Sequence, residues 1–130
     1  PAIYLETAYF GDEAALEEIL ILAKASGRWL YAFNLKLEQE YGLEGKTWEL
    51  VFSPRLAAGY FFKPAVALSL EYVGELVIDD GETEAFLSYL GPTLSLAGEN
   101  FYWTLSVLPQ LGTEAGSAAW QIRSLLGVTL

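Results

Sequence analysis

Along most of this chain apolar and polar side chains alternate with a period of two, which dictates a sheet and excludes a helical bundle. From Arg28 to Glu40 one face carries Trp29, Tyr31, Phe33, Leu35 and Leu37, and the other Leu30, Ala32, Asn34, Lys36, Glu38 and Glu40. A helix would scatter both sets around its axis. The split recurs downstream: Trp48, Leu50, Phe52, Leu56, Ala58, Tyr60 and Phe62 stand against Glu49, Val51, Ser53, Arg55, Ala57 and Gly59. Val66, Leu68, Leu70 and Tyr72 oppose Ala67, Ser69 and Glu71, and Leu90, Leu94 and Leu96 oppose Tyr89, Thr93 and Ser95. Phe101, Trp103, Leu105 and Val107 oppose Tyr102, Thr104 and Ser106; Trp120, Ile122, Leu126, Val128 and Leu130 oppose Gln121, Arg123, Gly127 and Thr129. Ala2–Tyr9 and Leu16–Ala25 alternate less cleanly, and Glu17-Glu18-Ile19-Leu20-Ile21-Leu22 alone is compatible with helix; both are read as strands.

The connections fix how such strands neighbour one another. Short links are expected at Ser26-Gly27, Lys63-Pro64 and Gly98-Glu99-Asn100, and longer acidic ones at Gly11–Ala15, Leu43–Lys46, Val77–Glu84 and Gly112–Gly116. Hairpin-sized links force antiparallel neighbours. The expected fold is therefore an all-β, up-and-down antiparallel β-barrel of about eight strands in one domain, residues 1–130, with both termini on the short-turn side. Pro54, Pro92 and Pro109 lie inside strands and call for bulges or strand ends.

Composition decides what surrounds the sheet. Hydrophobic residues make up 53% of the 130, yet the formal charge is −10. No run reaches the roughly 18 apolar residues of a membrane helix; Leu56–Leu70 is broken by Lys63-Pro64. The apolar face carries more large side chains than the bore of an eight-stranded barrel holds, while the polar face is rich in Ala, Gly, Ser and Thr. Apolar outward is thus the expected sense. Trp29, Tyr31, Tyr60, Phe62, Phe101 and Trp103 near the short turns, with Trp48, Tyr72 and Trp120 near the long loops, are expected to form the two aromatic belts of a bilayer-spanning barrel. Two alternatives reverse or replace the lipid. The same outer face can pack subunits into an extracellular fibre or tube, and a soluble barrel or sandwich carrying a small ligand would turn that face inward. The negative charge argues against nucleic acid as a partner. The start at Pro1 shows no signal-peptide pattern.

Three stretches carry a family likeness. Asn34-Leu35-Lys36-Leu37-Glu38-Gln39-Glu40, Gly91-Pro92-Thr93-Leu94-Ser95 and Trp103-Thr104-Leu105-Ser106-Val107-Leu108-Pro109-Gln110 resemble the later strands of a group of larger Gram-negative outer-membrane barrels. Some of that group are regarded as transporters in aromatic-compound degradation. The resemblance covers most of the chain without the group's earlier strands. It implies an outer-membrane location and brings no catalytic residues with it. The closing Leu126-Gly127-Val128-Thr129-Leu130 is similar to the terminal signal read by the barrel-insertion machinery, although Leu130 stands where an aromatic residue is usual.

On the polar face the charges are expected to form a lumen network of Glu18, Asn34, Lys36, Glu38, Glu49, Arg55, Glu71 and Arg123, joined by Glu6, Lys24 and Glu40. An unpaired buried charge costs several kcal/mol, so these groups are expected to pair. A three-residue link at Phe62–Pro64 sets Arg55 opposite Glu71, with Asn34 opposite Arg55 across the preceding hairpin. Glu38 and Glu49 on adjacent strands have the makings of an acid/base pair, but carboxylates facing Arg and Lys are more often structural. With neither His nor Cys, Ser-His, Cys-His and His-based metal sites are excluded. Asp79, Asp80, Glu82 and Glu84 fit a solvated acidic loop better than a Ca²⁺ site. The sequence thus predicts a non-enzymatic barrel without cofactor, structural, anchoring or narrowly conducting, whose partner is lipid or identical subunits.

Overall fold

The structure, a computed structural model, describes residues 1–11, 13–42, 47–112 and 118–128, and Phe10 through its backbone alone. Eight strands follow in order: β1 (Ala2–Phe10), β2 (Glu13–Ser26), β3 (Trp29–Gly42), β4 (Trp48–Lys63), β5 (Val66–Asp79), β6 (Glu82–Ala97), β7 (Phe101–Pro109) and β8 (Trp120–Val128). Each pairs antiparallel with its sequence neighbour, giving one sheet of order β1-β2-β3-β4-β5-β6-β7-β8. The up-and-down meander predicted from the alternation is present. Closure is not: the sheet curls into an open half-barrel, with β1 and β8 as its edges.

The ambiguous second segment is strand throughout, because the ladder from Glu13↔Gly42 to Ser26↔Trp29 fixes it against β3. Two links expected to be long are tight. β1 ends at Phe10 and β2 starts at Glu13; β5 ends at Asp79 and β6 starts at Glu82. Between the latter pair Asp80 (φ 45°) and Gly81 (φ 87°) both take positive φ, as a type I′ hairpin turn requires. Asp-Gly signals that turn, so the acidic composition of Val77–Glu84 was a poorer guide than the dipeptide at its centre. Strict alternation of short and long links therefore fails. The expected loops Leu43–Lys46 and Gly112–Gly116 and the terminal Thr129-Leu130 fall outside the described residues or largely so.

The prolines are handled individually. Pro54 offers no N–H to Gly74 opposite, and the ladder to β5 skips Ser53 and Pro54. The Ser53 hydroxyl donates to the Gly74 carbonyl at 3.1 Å instead, which replaces the lost ladder donor. At Pro92 the β6–β7 ladder stops after Thr93↔Ser106 and resumes only as a bridge from Tyr89 to Gln110. Gly91 makes this possible. A Cβ there would run into the Val107 carbonyl oxygen and lie 3.0 Å from Leu108 Cα.

The faces separate as the alternation demands. Leu56, Phe62, Leu70, Phe86, Ile122 and Leu126, all on the Trp29 face, are at least half exposed. The buried residues Ser53, Ala67, Val73, Tyr89, Thr93, Ser106 and Leu108 lie on the other, polar face. There Val73, Tyr89 and Leu108 pack together with Leu87 against them.

Candidate functional site: the polar face

The strongest constellation crosses four strands. Glu71 on β5 meets Thr93 on β6, Ser106 on β7 and Arg123 on β8. Arg123 Nη2 donates to Glu71 Oε1 in a salt bridge. Glu71 Oε2 lies 2.7 Å from the Thr93 hydroxyl and 3.1 Å from that of Ser106, and the two hydroxyls are 2.8 Å apart. Each hydroxyl has one proton. Ser106 therefore donates to the carboxylate, while Thr93 donates either to it or to the Ser106 hydroxyl. The cluster lines a recess of about 360 Å³ together with Ala57, Ser69, Thr104, Ser124 and Leu125.

Arg55 does not reach this carboxylate in the way the sequence predicted. Arg55 is opposite Val73, and Glu71 opposite Ala57, so the two share a face but are offset along the strand. The link is the two residues Pro64-Ala65, with a register shift between Phe61 and Lys63, in place of the three-residue link expected. Asn34 opposite Arg55 is as expected. Asn34 Oδ1, Arg55 Nε and Arg123 Nε are buried without a hydrogen-bond partner among the described residues.

A second cluster spans β2 and β3. Lys36 Nζ lies 3.0 Å from Glu17 and 2.5 Å from Glu38. Glu17, not Glu18, is the β2 member. Glu18 faces Leu5 and Leu37, and Lys24 faces Tyr31, which puts both on the apolar face. The run from Leu16 to Leu22 has no alternation of its own, so only its register against β3 settles which glutamate points where. Glu6 stays on the polar face opposite Glu17, where it accepts from the Tyr4 hydroxyl.

The rim at the Trp48 end is acidic. Glu49 is opposite Glu40, while Glu38 is opposite Val51, so the supposed acid/base pair is not assembled. Glu13, Glu40, Glu49 and Asp79 line a recess of about 270 Å³ with Tyr41 and Trp48. Asp80 is engaged locally: its carboxylate accepts from Trp48 N–H at 3.1 Å, and its own N–H donates to the Trp48 carbonyl. Among the described residues no group of three or more His, Cys, Asp or Glu side chains is placed to hold a metal ion.

On the apolar face the aromatics gather at both ends. Trp29 is opposite Tyr60, with ring centroids 5.2 Å apart and edge-on, and Phe62 continues the row 5.4 Å beyond Tyr60. Tyr31 stacks on Trp29. Phe101 and Trp103 lie at the same end, opposite Val128 and Leu126. At the other end Trp48 is opposite Tyr41, and Trp120 opposite Pro109. Tyr72 belongs to neither row, because β5 runs on to Asp79 and leaves it in mid-strand. Tyr9, Tyr41 and Phe86 take that place, and the ladders that reveal them depend on strand ends the alternation alone did not locate. The chain matches no family model, no curated protein and no solved structure.

Proposed function

We propose that this chain is a non-enzymatic, membrane-embedded β-sheet protein of the outer-membrane type, its Trp29 face turned outward to lipid and its polar face toward the interior. One observation carries the reading. Most of the large exposed hydrophobics lie on one face between two aromatic rows, Tyr4, Ile21, Tyr102 and Leu125 excepted, and the charges and hydroxyls that pair across strands, Glu17, Lys36, Glu38, Glu71, Thr93, Ser106 and Arg123, lie on the other. The dimensions support it. From Trp29 to Tyr41, or Trp48 to Tyr60, the strand covers about 40 Å at ~3.3 Å per residue. Tilted by about 45°, it spans a depth of about 28 Å, near the hydrocarbon thickness of a bilayer. Glu40 and Glu49 lie one residue inward of Tyr41 and Trp48, at the edge of that band. The likeness to outer-membrane barrels in the strands around Lys36, Thr93 and Ser106 agrees with this reading, on which the chain resides in the bacterial outer membrane. The role is structural or anchoring, or that of a conduit lined by Lys36, Arg55 and Glu71.

The test is insertion. Urea-unfolded chain is diluted into phosphatidylcholine vesicles, floated on a density gradient and run on gels with and without boiling. Flotation with heat-modifiable mobility is expected, together with quenching of tryptophan fluorescence by lipids brominated near the headgroup. A small monodisperse particle in buffer without detergent overturns the reading in favour of a soluble carrier. Large regular particles without lipid overturn it in favour of a self-assembling subunit.

A further inference from the structure

The two edges of the half-barrel are complementary. β1 and β8 are each paired on one side only. A free strand edge presents a row of N–H and C=O groups that hydrocarbon cannot satisfy. Eight strands here describe half a barrel, so a closed wall of this curvature takes about sixteen. We propose that a second copy of this chain supplies the other half, β8 of each copy pairing antiparallel with β1 of the other around a two-fold axis along the bore. The inference rests on the membrane reading, because the bilayer is what makes open edges untenable.

Charge and pleat select the register. Glu6 is the one charged residue of β1 and Arg123 the one charged residue of β8. They have opposite signs, both lie on the polar face, and Arg123 Nε has no partner among the described residues. Setting Glu6 opposite Arg123 keeps both faces in phase. On the apolar face it joins Ile3 to Leu126, Thr7 to Ile122 and Tyr9 to Trp120. A slip of two residues puts Glu6 opposite Gln121 or Leu125 and leaves the charges unmatched. Closing one copy on itself would use the same seam, but it would crowd Arg55, Tyr89, Leu108 and Arg123 into a bore that eight strands make only wide enough for small fillings. Sixteen strands leave a water-filled channel.

The native chain has no cysteine, so engineered thiols report the seam directly. Thr7→Cys and Ile122→Cys are combined in one chain, refolded into vesicles, oxidised and run on a non-reducing denaturing gel. A reducible band at twice the chain mass is expected. Leu5→Cys with Ile122→Cys, out of register by one pair, should cross-link about tenfold more slowly, since a disulfide needs Cβ atoms about 4 Å apart. A cross-linked species at single mass means the chain closes on itself, and a ladder of higher multiples means open-ended addition; each overturns the proposal. Flotation of the same samples separates the two readings. A chain that floats without the double-mass band sinks the seam alone, and one that does not float sinks the membrane reading with it. Should the cysteine variants fail to fold, native mass spectrometry of the unmodified chain in detergent decides: two copies per particle are expected, and one copy overturns the pairing.

Discussion

The polar face is used in opposite ways by its two halves. From β5 to β8 one carboxylate, Glu71, is engaged by three partners from three successive strands, beside the packed Val73, Tyr89 and Leu108. From β1 to β4 the carboxylates outnumber their partners. Glu17 and Glu38 share Lys36, and Glu13, Glu40 and Glu49 line the acidic rim. The contrast teaches where charge stabilises this sheet. A carboxylate held by a guanidinium and two hydroxyls out of bulk water strengthens the fold, whereas a wet group of like charges weakens it slightly and serves hydration.

Substitutions at both sites test that contrast. The largest effect is expected for Glu71→Ala, which strands Arg123 and two hydroxyls. It should cost about 2–4 kcal/mol, discounted for the partial exposure of Arg123, read as a lower urea midpoint for unfolding from vesicles. A loss below about 1 kcal/mol would erase the distinction between the halves. Next comes Gly91→Ala, which forces β7 away from β6 beside the packed cluster and should cost about 1–3 kcal/mol by the same assay. Gly81→Ala places a Cβ at φ 87° and should cost about 1–2 kcal/mol. Lys36→Met removes the only cation between Glu17 and Glu38 among the described residues, yet its partly wet setting limits the loss to about 1 kcal/mol or less.

The alternation from Arg28 to Glu40 and from Trp48 to Phe62 made strands and faces legible, because a period of two leaves little choice once one face is apolar. Register was less legible. Asn34 opposite Arg55 follows from the β3–β4 pairing, but one residue fewer in the next link, with a shift at Phe61, moved Glu71 away from Arg55 and left it to Arg123. No local signal announces that partner, which comes from three strands further on. Glu17 and Glu18 were confused because the run that holds them is apolar on both sides after Glu18. Closure was illegible for another reason: alternation fixes which way side chains point and is silent about curvature.

Every ladder in this sheet joins strands adjacent in the chain, and that has a consequence for how such proteins change size. In a meander a whole hairpin can be removed or duplicated while every other strand keeps its partner and its direction. No crossover has to be rethreaded and no core has to be rebuilt. Girth then becomes a matter of repetition, and this topology can widen or narrow in steps of two strands over its history.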